Sequence, residues 1–198
     1  MYLSSKINRA LQHLSLDGRQ THRDIVDQCR NVLKPFGARV DVTYSDALHG
    51  YEYTISGTYN SERIRQPIHI WLHFSMEHGG NYQWTRKRGK QFRFSLSQVL
   101  QHEWVHKCQH QYRDGVMGYR GQQLDYLANK DEIGAYAHDL CMELEYYYGS
   151  ESFDVLRKVG RSENLTSYEI YEKAFRGCEW SKIKKRLLKQ TFKWMEKA

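Results

Sequence analysis

The feature that most constrains the fold is the segment LSQVLQHEWVHKCQHQY, which starts at Leu96 and has the period of an amphipathic helix. Val99 and Leu100 before its centre and Val105 within it supply one apolar face. A helix of this kind has to bury that face against a core. The pattern predicts a long helix from about Leu96 to Tyr112.

The same segment contains H-E-x-x-H, with His102, Glu103 and His106. On a helix the two histidines stand about 40° apart and ~6 Å apart along the axis, so both imidazoles can reach one metal ion. Zinc with three protein ligands and one open position lowers the pKa of a bound water from ~15.7 toward ~7. Glu103 would accept the proton from that water and pass it to the departing amine. We therefore predict Zn²⁺ as cofactor, His102 and His106 as ligands and Glu103 as general base.

A third ligand has to come from elsewhere, because His110 lies ~12 Å from His102 along the same straight helix. Downstream, the segment Tyr126–Asp139 places acidic residues at a helix start and small residues one turn later. Small residues let two helices approach closely, so the carboxylate of Glu132 can face the metal. We predict Glu132 as the third ligand.

Several nearby residues have alternative interpretations. Asp131 or Asn129 is suited to cap this helix, whereas Asp125 and His138 are alternative ligands. Asp139 could orient a ligand histidine. Three tyrosines flank the motif and could donate a hydrogen bond to an oxyanion, namely Tyr112, Tyr119 and Tyr126. Of these we select Tyr119.

HEWVH followed by DEIGAYA resembles the gluzincin branch of the zincin metallopeptidases. The resemblance implies His102, His106 and Glu132 as ligands and Glu103 as base. The pairing of RFSLSQVLQHEWVH with E-x-x-A-x-A is also similar to small intracellular peptidases of the ImmA/IrrE kind, which act on regulatory proteins. The resemblance covers about 50 residues, Phe92 to Leu140. A metzincin pattern is excluded because Gln109 and Tyr112 stand where that pattern needs glycine and histidine.

The order of elements predicts an α+β fold in one domain, residues 1–198. We expect a zincin-like, small, mostly antiparallel sheet in an α/β part of about 1–95, packed on the H-E-x-x-H helix, and a helical part of about 96–198. The remaining predicted elements are a helix from Thr21 to Lys34, strands over Ala38–Tyr44, Tyr51–Tyr59 and Ile68–Phe74, a loop over Glu77–Gln91, and helices over Glu132–Tyr148 and Trp180–Met195. By resemblance to zincins, the third strand is expected to form the rim of the substrate cleft.

Charge and apolar content restrict the partners. A formal net charge of +7 favours acidic partners or nucleic acid, which a basic surface would bind. No run approaches the ~20 apolar residues that span a bilayer, and the N-terminus lacks the apolar core of a signal peptide. Four widely spaced cysteines form no CxxC pair and are expected to be reduced, mostly buried thiols. These features predict a cytoplasmic protein without a transmembrane segment.

Two functional hypotheses follow. The first is a zinc-dependent metallopeptidase that hydrolyses peptide bonds in a protein or peptide substrate. The second is a catalytically silent zincin-fold module that binds nucleic acid or a larger assembly. A purely structural zinc site has no need for a carboxylate beside an open coordination position, so Glu103 favours the enzyme.

Overall fold

The computed structural model describes residues 2–45, 48, 52–60, 66–76, 80–111, 123–159, 164–177 and 179–197. In chain order the helices and strands are α1 (Tyr2–Leu11), β1 (Gly18–Thr21), α2 (His22–Leu33), β2 (Ala38–Ser45), β3 (Tyr53–Thr58), β4 (Ile68–Ser75), β5 (Asn81–Trp84), α3 (Arg86–Gln111), α4 (Gln123–Ala128), α5 (Lys130–Tyr148), α6 (Ser152–Arg157), α7 (Thr166–Phe175) and α8 (Trp180–Met195). Short 3₁₀ turns cover Lys34–Phe36 and Gly149–Glu151. The predicted α+β class is confirmed.

Internal contacts divide the chain into two compact units, Met1–Lys107 and Cys108–Ala198. The division falls within helix α3, which runs without interruption over 26 residues. All described strands belong to the first unit, and the described part of the second unit is helical apart from its turns. The predicted helical C-terminal half is therefore confirmed.

The first unit contains two small sheets. In the three-stranded sheet the order is β2-β4-β3, with β2 parallel and β3 antiparallel to the central strand β4. The second sheet pairs β1 with β5 antiparallel. Two of these three pairings are antiparallel, as the sequence predicted. Strands β1 and β5 were not predicted, since each has only four residues and its partner is distant in sequence.

Helix α2 begins and ends where the sequence indicates. Thr21 and Asp24 form a capping box, in which the Asp24 N–H donates to the Thr21 side chain and the Thr21 N–H donates to the Asp24 carboxylate. The hydrogen bonds from Thr21 hold the pKa of Asp24 below its ordinary value. After the following 3₁₀ turn, Gly37 adopts a left-handed conformation with φ 66° and starts β2.

Helix α3 begins at Arg86, about ten residues before the predicted start. The prediction of a loop over Glu77–Gln91 is therefore wrong from β5 onward. The physical reason lies at Gly89, where a Cβ atom would be 2.8 Å from the Leu16 carbonyl oxygen. Glycine here permits close packing of the helix against the chain before β1, whereas in the sequence it suggests a loop.

The core of the first unit lies between the sheet and its helices. Strand β4 is buried at alternate residues, with Ile68, Ile70 and Leu72 almost fully inaccessible. Leu96 and Leu100 of α3 belong to the same apolar cluster. The N-terminal part of α3 is thereby fixed to the sheet by burial of the face that the sequence predicted.

The second unit has its own apolar core, formed by α4 to α8. Helix α8 buries Ile183, Leu187, Thr191 and Met195, so one face of this helix packs on the core. Helix α5 is capped by Asn129, whose side chain accepts a hydrogen bond of 2.9 Å from the Asp131 N–H. Of the two capping candidates, Asn129 is therefore the cap.

Three cysteines lie among the described residues, and all three are free thiols. Cys29 and Cys141 are buried, and burial raises the pKa of each thiol to about 12. Cys108 is half-buried. The expectation of reduced, mostly buried thiols is confirmed for these three, while Cys178 lies outside the described residues.

Candidate metal centre

The H-E-x-x-H residues lie in the C-terminal half of α3. Glu103 is buried, whereas His102 and His106 are half-buried. Val105 is buried and Trp104 packs against the core of the first unit, as expected for residues that turn away from the metal. The apolar face of the helix thus fixes the direction in which the two imidazoles project.

The two imidazoles converge. The Nε2 atoms of His102 and His106 lie 3.1 Å apart, and their ring centroids are 4.8 Å apart with planes at 73°. In a tetrahedral zinc site, bonds of about 2.0–2.2 Å place neighbouring ligand atoms roughly 3.3–3.6 Å apart. The separation of the two nitrogens is slightly shorter than this distance, so both can reach a single ion.

Glu132 offers the third ligand atom. It lies in the first turn of α5 and is 6% exposed. The potential ligand atoms of His102, His106 and Glu132 all lie within 4.8 Å of one another. Among the described residues, these three form the one group of histidine, cysteine or acidic side chains with this arrangement. Two imidazole nitrogens and a carboxylate oxygen form a donor set that is typical of catalytic zinc.

The start of α5 is held by contacts within the second unit. Gln109, in the last turn of α3, donates a 3.1 Å hydrogen bond from Nε2 to the Asp131 carbonyl oxygen. One turn along α5, a Cβ atom on Gly134 would lie 2.8 Å from the same Gln109 nitrogen. The Gly134 carbonyl oxygen accepts a 3.1 Å hydrogen bond from the indole of Trp194 in α8. These contacts position the turn that carries Glu132.

Gln109 and Trp194 were not singled out as positioning residues from the sequence. Gln109 figured there only as a departure from the metzincin pattern, and no local pattern indicates that its amide binds a backbone carbonyl. The small residues after Glu132 did give a usable signal. Gly134 is one of them, and it lies where a larger side chain would collide with Gln109.

Glu103 lies against strand β3. A Cβ atom on Gly57 would be 2.7 Å from Val99 Cγ1 and 2.9 Å from Glu103 Cγ. Gly57 therefore lets the strand approach the helix at the predicted general base. The sequence contained a signal for this residue, because a single glycine inside a strand pattern often marks a close backbone approach.

The prediction that the third strand forms the rim of the substrate cleft is wrong. The strand expected at the cleft, Ile68–Phe74, corresponds to β4, which has β2 on one side and β3 on the other. A strand that is paired on both sides has no edge to offer an extended peptide. Among the described strands of this sheet, β3 is an edge strand that also contacts the H-E-x-x-H helix.

The other candidates lie elsewhere. His138 packs its ring edge-on against Trp194, with centroids 4.8 Å apart, and its Nδ1 lies 3.9 Å from an Asp139 carboxylate oxygen. His110, Asp125, Asp131 and His138 are not members of the three-residue group. Tyr119, the predicted oxyanion donor, lies outside the described residues, as does Tyr112.

Comparisons with protein-family models, with curated proteins and with solved structures find no match to this chain. A search of the described residues finds no helix that is both long and apolar enough to cross a membrane.

Proposed function

We propose that this chain is a zinc-dependent metallopeptidase of zincin-like fold, close to the gluzincin branch and to ImmA/IrrE-type peptidases. The observation that supports the proposal best is the convergence of His102, His106 and Glu132, whose potential ligand atoms lie within 4.8 Å of one another. The H-E-x-x-H motif by itself places only His102 and His106 on one face of a helix. The third comes from a different helix, so its position beside the two histidines is an independent observation in favour of a metal site.

In this proposal His102, His106 and Glu132 hold the zinc ion. When bound, zinc supplies Lewis acidity, which lowers the pKa of a coordinated water and polarises a substrate carbonyl. Glu103 accepts the proton of the attacking water and delivers it to the amine of the leaving peptide. The low exposure of Glu103, 8%, keeps bulk water from competing for this proton.

The substrate in this proposal is an extended peptide that pairs with the edge of β3 opposite to β4. Edge pairing supplies main-chain hydrogen bonds that do not depend on the side chains of the peptide. It also brings the peptide beside Glu103, since Gly57 of the same strand lies directly against that side chain. We further propose an intracellular location, because the three described cysteines are free thiols.

The experiment compares wild type with Glu103→Gln, with Glu169→Gln as a control that makes the same change on an exposed face of α7. Zinc content is measured on the purified proteins, and cleavage of a proteome-derived peptide library is read by mass spectrometry. We expect one zinc ion per chain in all three proteins. Cleavage should be at least about 100-fold slower in Glu103→Gln alone, since general-base catalysis contributes roughly 10²–10⁴-fold.

Two results would contradict the proposed peptidase activity. Cleavage by Glu103→Gln at the wild-type rate would show that Glu103 is not the general base. Stoichiometric zinc without Glu103-dependent cleavage of any peptide would favour the second hypothesis, a zincin-fold binding module.

A further inference from the structure

An apolar groove with a cationic rim lies between helices α6 and α8 of the second unit. Its volume is about 510 Å³, within the range of roughly 300–1,000 Å³ that is typical of ligand pockets. The groove is lined by Leu156, Arg157, Leu188, Lys189, Phe192 and Lys193. Half of these side chains are apolar and half are cationic, and none belongs to the candidate metal centre.

The apolar surface continues beyond the groove. Phe153 of α6 is 39% exposed and meets Phe192 of α8 edge to face, with centroids 5.4 Å apart. Leu188 and Phe192 are only half-buried, although both pack against the core of the unit. Exposed apolar surface that is rimmed by polar residues is a common mark of a binding site.

The cationic rim has a regular spacing. Lys189 and Lys193 are both exposed and lie four residues apart on α8, which is ~6 Å along the helix axis. Helix α8 has no acidic residue between Trp180 and Met195. Arg157 forms a 3.4 Å ion pair with Asp154, in which both side chains are largely exposed, so this pair is weak and can be exchanged for another carboxylate.

We propose that this groove docks an acidic, amphipathic helical segment of a protein partner. Apolar side chains of the segment, spaced three and four residues apart, fill the space between Leu156, Leu188 and Phe192. Carboxylates four residues apart on the same segment face Lys189 and Lys193, whose spacing is the same. Charge complementarity therefore sets the orientation of the segment, and apolar burial supplies most of its affinity.

Other anionic partners fit the groove less well. A bilayer is engaged by apolar side chains that protrude into it, whereas Leu156 is buried and Leu188 and Phe192 are half-buried. Single-stranded nucleic acid stacks on exposed ring faces, whereas Phe153 and Phe192 are packed edge to face with each other. Duplex nucleic acid exposes a charged phosphate backbone and has no protruding apolar group to fill the groove.

The test measures binding of the full chain to a synthetic helical peptide that has leucine at positions i, i+3, i+4 and i+7 and glutamate on the flanking positions. A peptide of the same composition in scrambled order, phosphatidylserine vesicles and a single-stranded oligonucleotide serve as competing probes. Two double variants are compared, Lys189→Glu with Lys193→Glu and Lys182→Glu with Lys185→Glu. The second double variant is the control, because it makes the same charge change on α8 outside the groove. Leu188→Asn tests the apolar contribution, with circular dichroism as the check on folding.

We expect the amphipathic peptide to bind wild type at least about tenfold more tightly than the scrambled peptide. The Lys189/Lys193 variant and Leu188→Asn should each weaken binding by about tenfold, and the Lys182/Lys185 variant by less than about twofold. Equal effects of the two charge variants, equal binding of the scrambled peptide, or preference for the vesicles or the oligonucleotide would overturn the proposal. Binding is read without zinc and without cleavage, so the result does not depend on the proposed enzymatic activity.

Discussion

Helix α5 buries one glutamate in its first turn and another in its C-terminal half, and the surroundings of the two differ. Glu132 in the first turn and Glu143, about three turns later on nearly the same face, are 6% and 2% exposed. Glu143 accepts hydrogen bonds of 3.2 and 3.1 Å from the Ser167 N–H and one of 3.0 Å from the Ser167 hydroxyl. Glu132 instead offers its carboxylate to a group with two imidazole nitrogens.

The donors around Glu143 explain its role. Ser167 lies in the first turn of α7, where the N-cap residue Leu165 makes no side-chain hydrogen bond. The first N–H groups of a helix have no partner within the helix and carry a partial positive charge. Glu143 therefore acts as a cap supplied from a different helix, which joins α7 to α5.

Burial alone therefore does not distinguish the two glutamates. A carboxylate surrounded by N–H and O–H donors is satisfied as a structural anion. A carboxylate grouped with two imidazole nitrogens, which bind a metal ion through their lone pairs when they are unprotonated, is suited to complete a metal site. The type of neighbouring atom separates the two roles, and each role predicts a different response to the same Glu→Gln substitution.

The largest expected effect follows Glu132→Gln. The amide is a poor zinc ligand, and loss of an outer-shell partner alone costs about 10–100-fold in metal affinity, so we expect the Kd for zinc to rise by more than about 100-fold. Competition with a chromogenic chelator measures this Kd. The matched variant Glu143→Gln should bind zinc like wild type. Equal zinc affinity in wild type and Glu132→Gln would remove Glu132 from the site.

The next effect concerns stability. Glu143→Gln removes the negative charge and one of the two acceptor oxygens that Ser167 uses, so we expect the free energy of unfolding to fall by about 1–3 kcal/mol. Urea denaturation of the zinc-free protein measures it. Ser167→Ala, which removes only the hydroxyl donor, should cost about 1 kcal/mol. If Glu143→Gln left the unfolding midpoint unchanged, the assignment of Glu143 as a cap would fail.

The smallest effect is expected at Gln109, which positions the first turn of α5 through the Asp131 carbonyl. Gln109→Met keeps a similar length but removes the N–H donor. We expect zinc affinity to fall by about tenfold, as for other residues that support a metal ligand. The control is Gln111→Met at the exposed end of the same helix. A change no larger than that of the control would show that the amide does not position Glu132.

The fold was predictable where local chemistry decides structure. Thr21 was recognisable as the start of α2, and the β-branched and aromatic residues of Ile68–Phe74 predicted the strand that is β4. The start of α3 was not predictable, because a basic run with a glycine reads as a loop. Only the proximity of the Leu16 carbonyl explains why glycine stands inside that helix.

The sequence by itself determined the helix that carries His102, Glu103 and His106, because both the apolar period and the spacing of the two histidines are local properties. It also suggested Glu132 through the small residues that follow it. The tertiary structure decided which strand of the sheet is central, that Gly57 lies against Glu103, and which of the two buried glutamates of α5 is grouped with two imidazole nitrogens. These depend on contacts between residues far apart in the chain. A local pattern can mark a close approach, as the glycine in β3 does, but it does not say which residue is approached.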